Sequence, residues 1–164
     1  MKDLDTKKTC DLLSRIMEFE LAGVVRYTHY SLMVFGPHRI PIVAFMKAQA
    51  SESLLHAQQA GEILTGLGGH PSLRIAPIKE SYKHTVKDIL EESLSHEREA
   101  LDLYKTLLDT VADRSVYLEE FARTQIGAEE LHGLELRKML RDIGVDTPHK
   151  HSGPAKVATL KPAR

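Results

Sequence analysis

Four long stretches of this chain carry apolar residues at the three-to-four spacing of an amphipathic helix. The first, about 4–34, places Leu13, Ile16, Met17, Val24, Tyr27 and Ser31 in series, and Gly36-Pro37 ends it. The second, about 42–67, places Phe45, Ala48, His56, Ala60, Ile63 and Leu67 on one side. Pro41 suits its opening position, and Gly66, Gly68, Gly69 and Pro71 close it. Residues 69–82 hold two prolines and little periodicity, which predicts a long connection and not a tight turn. The third helix, about 83–111, turns Ile89, Leu90, Leu94, Leu101, Tyr104 and Leu108 inward. After the turn Asp113-Arg114-Ser115, the fourth runs to about 143 with Leu118, Phe121, Leu136, Met139 and Leu140 inward and Gly144 as its cap. Helix, short turn, helix, long crossover, helix, short turn, helix predicts an all-α antiparallel four-helix bundle with one long crossover between helices two and three. The bundle takes residues 1–144. Residues 145–164, with three prolines and four Lys/Arg against Asp146, are expected to form a flexible basic tail.

The apolar stripes are interrupted near their centres. In the first helix the series 13, 16/17, 20, 24, 27 turns Glu20 inward, and in the third the series 90, 94, 97, 101, 104 does the same to Glu97. Glu129 and His132, three apart in the fourth helix, share a face. His56 sits between Leu55 and Ala60 in the second. A buried carboxylate costs several kcal/mol unless it is paired or bound to a metal. Three acids and two histidines at one depth therefore point to a cation. Carboxylate oxygen and neutral imidazole without thiolate suit Fe(II), Mn(II) or Zn(II). Tyr27, two turns after Glu20 on the same face, is the catalytic candidate, as a hydrogen-bond donor to a ligand carboxylate or an electron donor; a plain core tyrosine is the other reading. His29, His38, His70, His84 and His96 lack such company and are read as surface or loop residues. In the tail, His149 and His151 are read as part of a linker.

Composition narrows the function. Lys plus Arg is 22 and Asp plus Glu 23, a formal charge of −1, so the chain is no polycation and nucleic acid is not an expected partner. Tryptophan is absent, and Cys10 is the single cysteine, which excludes a disulfide framework and a four-cysteine zinc site within one chain. No leader or membrane-spanning stretch is apparent, and a cytoplasmic location without membrane contact is the expectation.

The segments LLSRIMEFELAGVVRYTHYSLM, SESLLHAQQAGEILTGLGGHPSL, EESLSHEREALDLYKTLL and EEFARTQIGAEELHGLELRKML resemble bacterioferritin and the wider ferritin-like superfamily. The resemblance covers residues 4 to about 144 and implies a ferritin-like bundle with two irons per chain, manganese or zinc being alternatives. It implies that Glu20 and His56 bind the first iron, Glu97 and His132 the second, and that Glu129 bridges them. The family's second bridging glutamate lies three residues before the helix-two histidine, where this chain has Ser53. Glu52, next door and four residues before His56, is the candidate substitute as a metal ligand. The family's haem methionine is replaced by Leu54, so haem is not expected. The implied activity is oxidation of Fe(II) by oxygen or peroxide, a ferroxidase, with iron storage or detoxification as its purpose. The implied assembly is a homo-oligomer, at least a dimer through the outer face of helices one and two, with the family's 24-subunit shell as its larger form. The alternatives are a small dimetal oxidase (Fe or Mn/Fe) or peroxide scavenger without a storage shell, and a degenerate structural or interaction protein.

Overall fold

The computed structural model describes residues 3–141 and 143. They form four helices: α1 (Thr6–Met33), α2 (Arg39–Gly66), α3 (Val86–Val111) and α4 (Val116–Leu140). The expected cap at Gly144, the tail 145–164 and the histidines 149 and 151 lie outside the described residues. No described helix is long and apolar enough to cross a membrane.

Local chemistry sets the helix ends. Asp5 caps α1 by accepting from the Lys8 amide. At α3, the Thr85 side chain accepts from the Asp88 amide while the Asp88 carboxylate accepts from the Thr85 amide. This capping box starts the helix at Val86, later than the periodicity suggested. Ser115 caps α4 by accepting from the Leu118 amide. In α2 the helix begins before Pro41. Gly36 takes a φ of +91°, and its carbonyl accepts from the Arg39 amide, so the chain has already turned by residue 39. Pro41 then lies in the first turn, where its missing N–H leaves no helical bond unmade.

Side-chain pairs across the bundle fix the directions. Tyr27 meets Glu97 and Tyr104 meets Glu20, so α1 and α3 run antiparallel. His56 meets Glu129 and Gln59 meets Gln125, so α2 and α4 run antiparallel as well. α1 packs on α2 and α3, and α3 packs on α4. α2 and α4 stand further apart, with no described Cα pair within 8 Å, and side-chain pairs such as Gln59–Gln125 and Glu52–His132 bridge that seam. The crossover lies along α1: the Ala76 amide donates to the Glu18 carbonyl at 2.9 Å, and Ser72 and Arg74 both bond the Glu18 carboxylate.

The core is in two pieces. One gathers Leu13, Ile16, Leu64, Leu107 and Leu118, and the other Met46, Ile89, Leu90 and Leu136. Between them lies a polar layer of buried Glu20, Ser53, His56, His96, Glu97, Gln125 and Glu129. One stripe is rotated from the expected one. α2 buries Ile42, Met46, Gln49, Ser53 and His56, while Ala48 is exposed.

The capping box gives a direct test. Thr85→Ala should lower stability by about 1 kcal/mol through loss of the cap, measured by urea denaturation.

Candidate metal centre

Each helix contributes to the polar layer from the middle of its buried stripe. The side chains converge because each stands at a core position of its own helix. Glu20 Oε1 lies 3.4 Å from His56 Nδ1, and Glu129 Oε1 lies 3.4 Å from the same nitrogen. On the other side, His132 Nδ1 lies 3.0 Å from Glu97 Oε2 and 3.6 Å from Glu129 Oε2. Two groups result, Glu20–His56–Glu129 and Glu97–Glu129–His132, and within each the ligand atoms lie within 4.8 Å of one another. Glu129 belongs to both and offers one oxygen to each. The groups line a small cavity of about 10 Å³. All three carboxylates are at least 95 % buried.

Two tyrosines hold the carboxylates in crossed fashion. Tyr27 O–H donates to Glu97 Oε1, and Tyr104 O–H donates to Glu20 Oε1 at 2.7 Å. Burial and the adjacent carboxylate charges push both phenols above their ordinary range, so both stay protonated and keep donating. Each tyrosine stands seven residues after a glutamate on its own helix and bonds the glutamate of the other. The expected donor role of Tyr27 is therefore matched by Tyr104, which its stripe position alone marked only as core. The seven-residue offset from Glu97 was the available signal.

Glu52, the candidate substitute ligand, lines the same cavity from its edge. It joins neither three-residue group. It stands beyond the rings at the α2/α4 seam, 37 % exposed, with one oxygen 3.9 Å from His56 Nε2 and the other 3.1 Å from His132 Nε2. The reason is the rotation of α2: Ser53 takes the inward position, which puts Glu52 at the edge. From there it faces the outer nitrogens of both rings, the position from which a carboxylate fixes the tautomer and orientation of a metal-binding imidazole.

His96 also departs from its reading as a surface residue. It is buried, stacked on Phe19 with centroids 4.3 Å apart. Burial pulls its pKa down to about 4, so it is neutral at pH 7. Its Nε2 and the Ser53 hydroxyl both close on Gly23. A Cβ on that glycine would stand 2.8 Å from each.

Without metal, protonated histidines supply the positive charge. Burial works against the His56 cation, but the carboxylates of Glu129 and Glu20 outweigh it and raise the pKa to about 9. For His132 burial is likewise outweighed by Glu129 and Glu97, raising it to about 10. Burial raises Glu97, with Glu129 close by adding to it. Glu129 itself is lowered, because its bonds to His132 and His56 overcome burial. Carboxylate and imidazole donors, three in each group with one shared, are chemically suited to two divalent cations of the iron, manganese or zinc type. Glu20, Glu97 and Glu129 offset three of the four positive charges of such a pair, and Glu52 lies close enough to offset the fourth.

The chain belongs to the ferritin family, whose description is ferritin-like domain and whose pattern it matches over residues 10–144. Among solved structures it is similar to a ferritin-like diiron-carboxylate protein of Bacillus anthracis. That match has 24 % identity and a TM-score of 0.79, and covers 85 % of this chain and 99 % of the other. It is similar to a dodecameric thioferritin of Bacteroides fragilis, described as bacterioferritin-related. There the identity is 23 % and the TM-score 0.80, over 85 % of this chain and 88 % of the other. It is also similar to Rhodobacter capsulatus bacterioferritin, at 22 % identity and a TM-score of 0.74, over 82 % and 84 % of the two chains. No curated protein matches its sequence. At these identities the likeness carries the fold, and the site rests on its own geometry.

Two outcomes follow from this geometry. Both histidines are protonated in the metal-free protein below about pH 9, so each ion that binds must displace a proton. Affinity for Zn(II) or Fe(II) should therefore fall as pH falls, with log K changing by about one per pH unit per ion between about pH 6 and 8, and calorimetric proton release should agree. Gly23→Ala should cost about 1–3 kcal/mol through overpacking against Ser53 and His96, read by urea denaturation.

Proposed function

We propose that the protein is a non-haem dinuclear iron protein that oxidises Fe(II) with oxygen or peroxide, a ferroxidase acting within a homo-oligomer. The observation that carries this reading is Glu129, whose two oxygens fall in separate three-residue groups, one with Glu20 and His56 and one with Glu97 and His132. A single shared carboxylate holds two cations at the short separation that a coupled two-electron step needs. Iron is the substrate and supplies the electrons. The chain supplies ligands, charge and orientation.

Glu20, Glu97 and Glu129 stabilise the higher charge of oxidised metal in a buried layer where water cannot. Tyr27 and Tyr104 hold Glu97 and Glu20 in place by hydrogen bonds. Tyr27 thus acts first as a positioning donor. Glu52 orients His56 and His132 from the seam, and its partial exposure makes that seam a path for Fe(II) from solvent. A cleft of about 290 Å³ reaches Glu97 and Glu129 between α3 and α4, lined also by Arg98, Glu130 and Arg137, and offers a second route. Haem has no place in this reading, because Leu54 carries no sulfur and Met46 is fully buried in the core. A dimer through the outer face of α1 and α2 is supported by the exposed Val25, Leu32, Leu54 and Leu55. The related Bacteroides fragilis structure is of a dodecameric protein.

The test is metal content after anaerobic reconstitution with Fe(II), with light scattering and the rate of oxygen-dependent oxidation. About two irons per chain are expected, as for other bundles with this donor arrangement, and Glu129→Ala should lose most of them. Unchanged stoichiometry in that variant would sink the proposed centre. A large iron-filled particle adds storage. A small oligomer that oxidises iron without storing it leaves an oxidase or peroxide scavenger. Wild-type protein that binds no metal is a structural bundle.

A further inference from the structure

A second cluster of ligand-type side chains lies away from the polar layer, where the crossover meets the outer side of α1. His29 Nε2 stands 3.6 Å from Glu80 Oε2, and His84 Nε2 stands 3.6 Å from Glu80 Oε1. The rings of His29 and His84 are 5.5 Å apart between centroids. One ligand atom from each of the three residues falls within 4.8 Å of the others.

Three features single this cluster out. First, both Nε2 atoms are shielded from solvent, and neither has a hydrogen-bond partner among the described residues. A separation of 3.6 Å is too long for a hydrogen bond. It is close to the roughly 3.4 Å edge of a tetrahedron drawn with metal–ligand bonds of about 2.1 Å. Second, the chain is bent to form the group. Tyr82, between Glu80 and His84, has a φ of +57°, a left-handed conformation unfavourable for a tyrosine, and its side chain is exposed. Its amide donates to Glu80 Oε1 at 3.1 Å, which fixes the carboxylate. The result is two imidazoles and one carboxylate on one side of a shared space. Third, the donors join two segments whose hydrogen bonds among the described residues lie further back, around Glu18.

We propose that His29, Glu80 and His84 form a separate mononuclear site for a divalent transition-metal ion, which clips the second half of the crossover to α1. Two imidazoles and one carboxylate suit Zn(II) or Fe(II), with one or more positions left for water. This site shares no residue with the centre around Glu129, so it stands or falls independently of it.

The test uses Zn(II) as the probe on the full chain. In equilibrium dialysis, His29→Ala and His84→Ala should each lose one zinc per chain, and the double variant should lose no more than either. The same single loss should appear when His84→Ala is added to Glu129→Ala. Equal zinc in Glu129→Ala with and without His84→Ala would overturn the proposal. A second measurement needs no variant. Crystals of the wild-type protein grown with Zn(II) should give an anomalous peak at the zinc edge between the three side chains. A peak confined to the bundle interior would overturn it equally.

Discussion

Three carboxylates are buried together at the centre of this bundle, and the rest of the structure is arranged around that electrostatic demand. An isolated buried charge costs several kcal/mol even after relaxation. Here each acid meets a histidine or a tyrosine, and both histidines are drawn toward the charged form by the acids beside them. The arrangement is a lattice of mutual compensation, so removing one member leaves another uncompensated. Such a layer requires rigid elements on every side. Four helices of 25 to 28 residues, with the layer near their middle, supply them.

A near two-fold relation runs through this layer. Glu20 and Tyr27 on α1 correspond to Glu97 and Tyr104 on α3, each pair seven residues apart, and each tyrosine bonds the other helix's glutamate. His56 on α2 corresponds to His132 on α4. The relation breaks at one point: three residues before His132 stands Glu129, and three before His56 stands Ser53. Only one half therefore brings a carboxylate to that place, and Glu129 falls in both ligand-type groups. The small side chain there fits the space left by Gly23 and the buried His96. With Ser53 turned inward, Glu52 lies one residue around the helix, which puts it at the rim.

The four helices, their order and the crossover were legible because their amphipathic periods are long and broken by Gly and Pro. Glu20, Glu97, Glu129, His56 and His132 were legible for the same reason, as charged or polar residues on apolar stripes. Helix rotation was harder to read. Both Phe45/Ala48 and Met46/Gln49 continue a three-to-four series into His56, and only packing against α1, with Met46 reaching Ser93 of α3, decides that the second is inside. The inward place of Ser53 and the outward place of Glu52 follow from that choice. His96 was misjudged because no companion ligand-type residue stands with it in the sequence pattern, and that pattern does not show the space beside it. Phe19 and Gly23 on α1 make that room. The grouping of His29 with His84 depends on the path of an aperiodic segment, which periodicity does not encode.

The division of the apolar core has a consequence for cooperativity. Hydrophobic burial couples residues that touch, and here a layer of titratable and hydrogen-bonded groups separates the two described apolar clusters. One end of the bundle can then open locally while the other stays shut, and amide hydrogens at the two ends need not exchange at the same free energy. Ions held by Glu129 would tie all four helices at one level and merge the two ends into a single unfolding unit. In such a bundle, loading the centre changes how much of the molecule must come apart before any of it does.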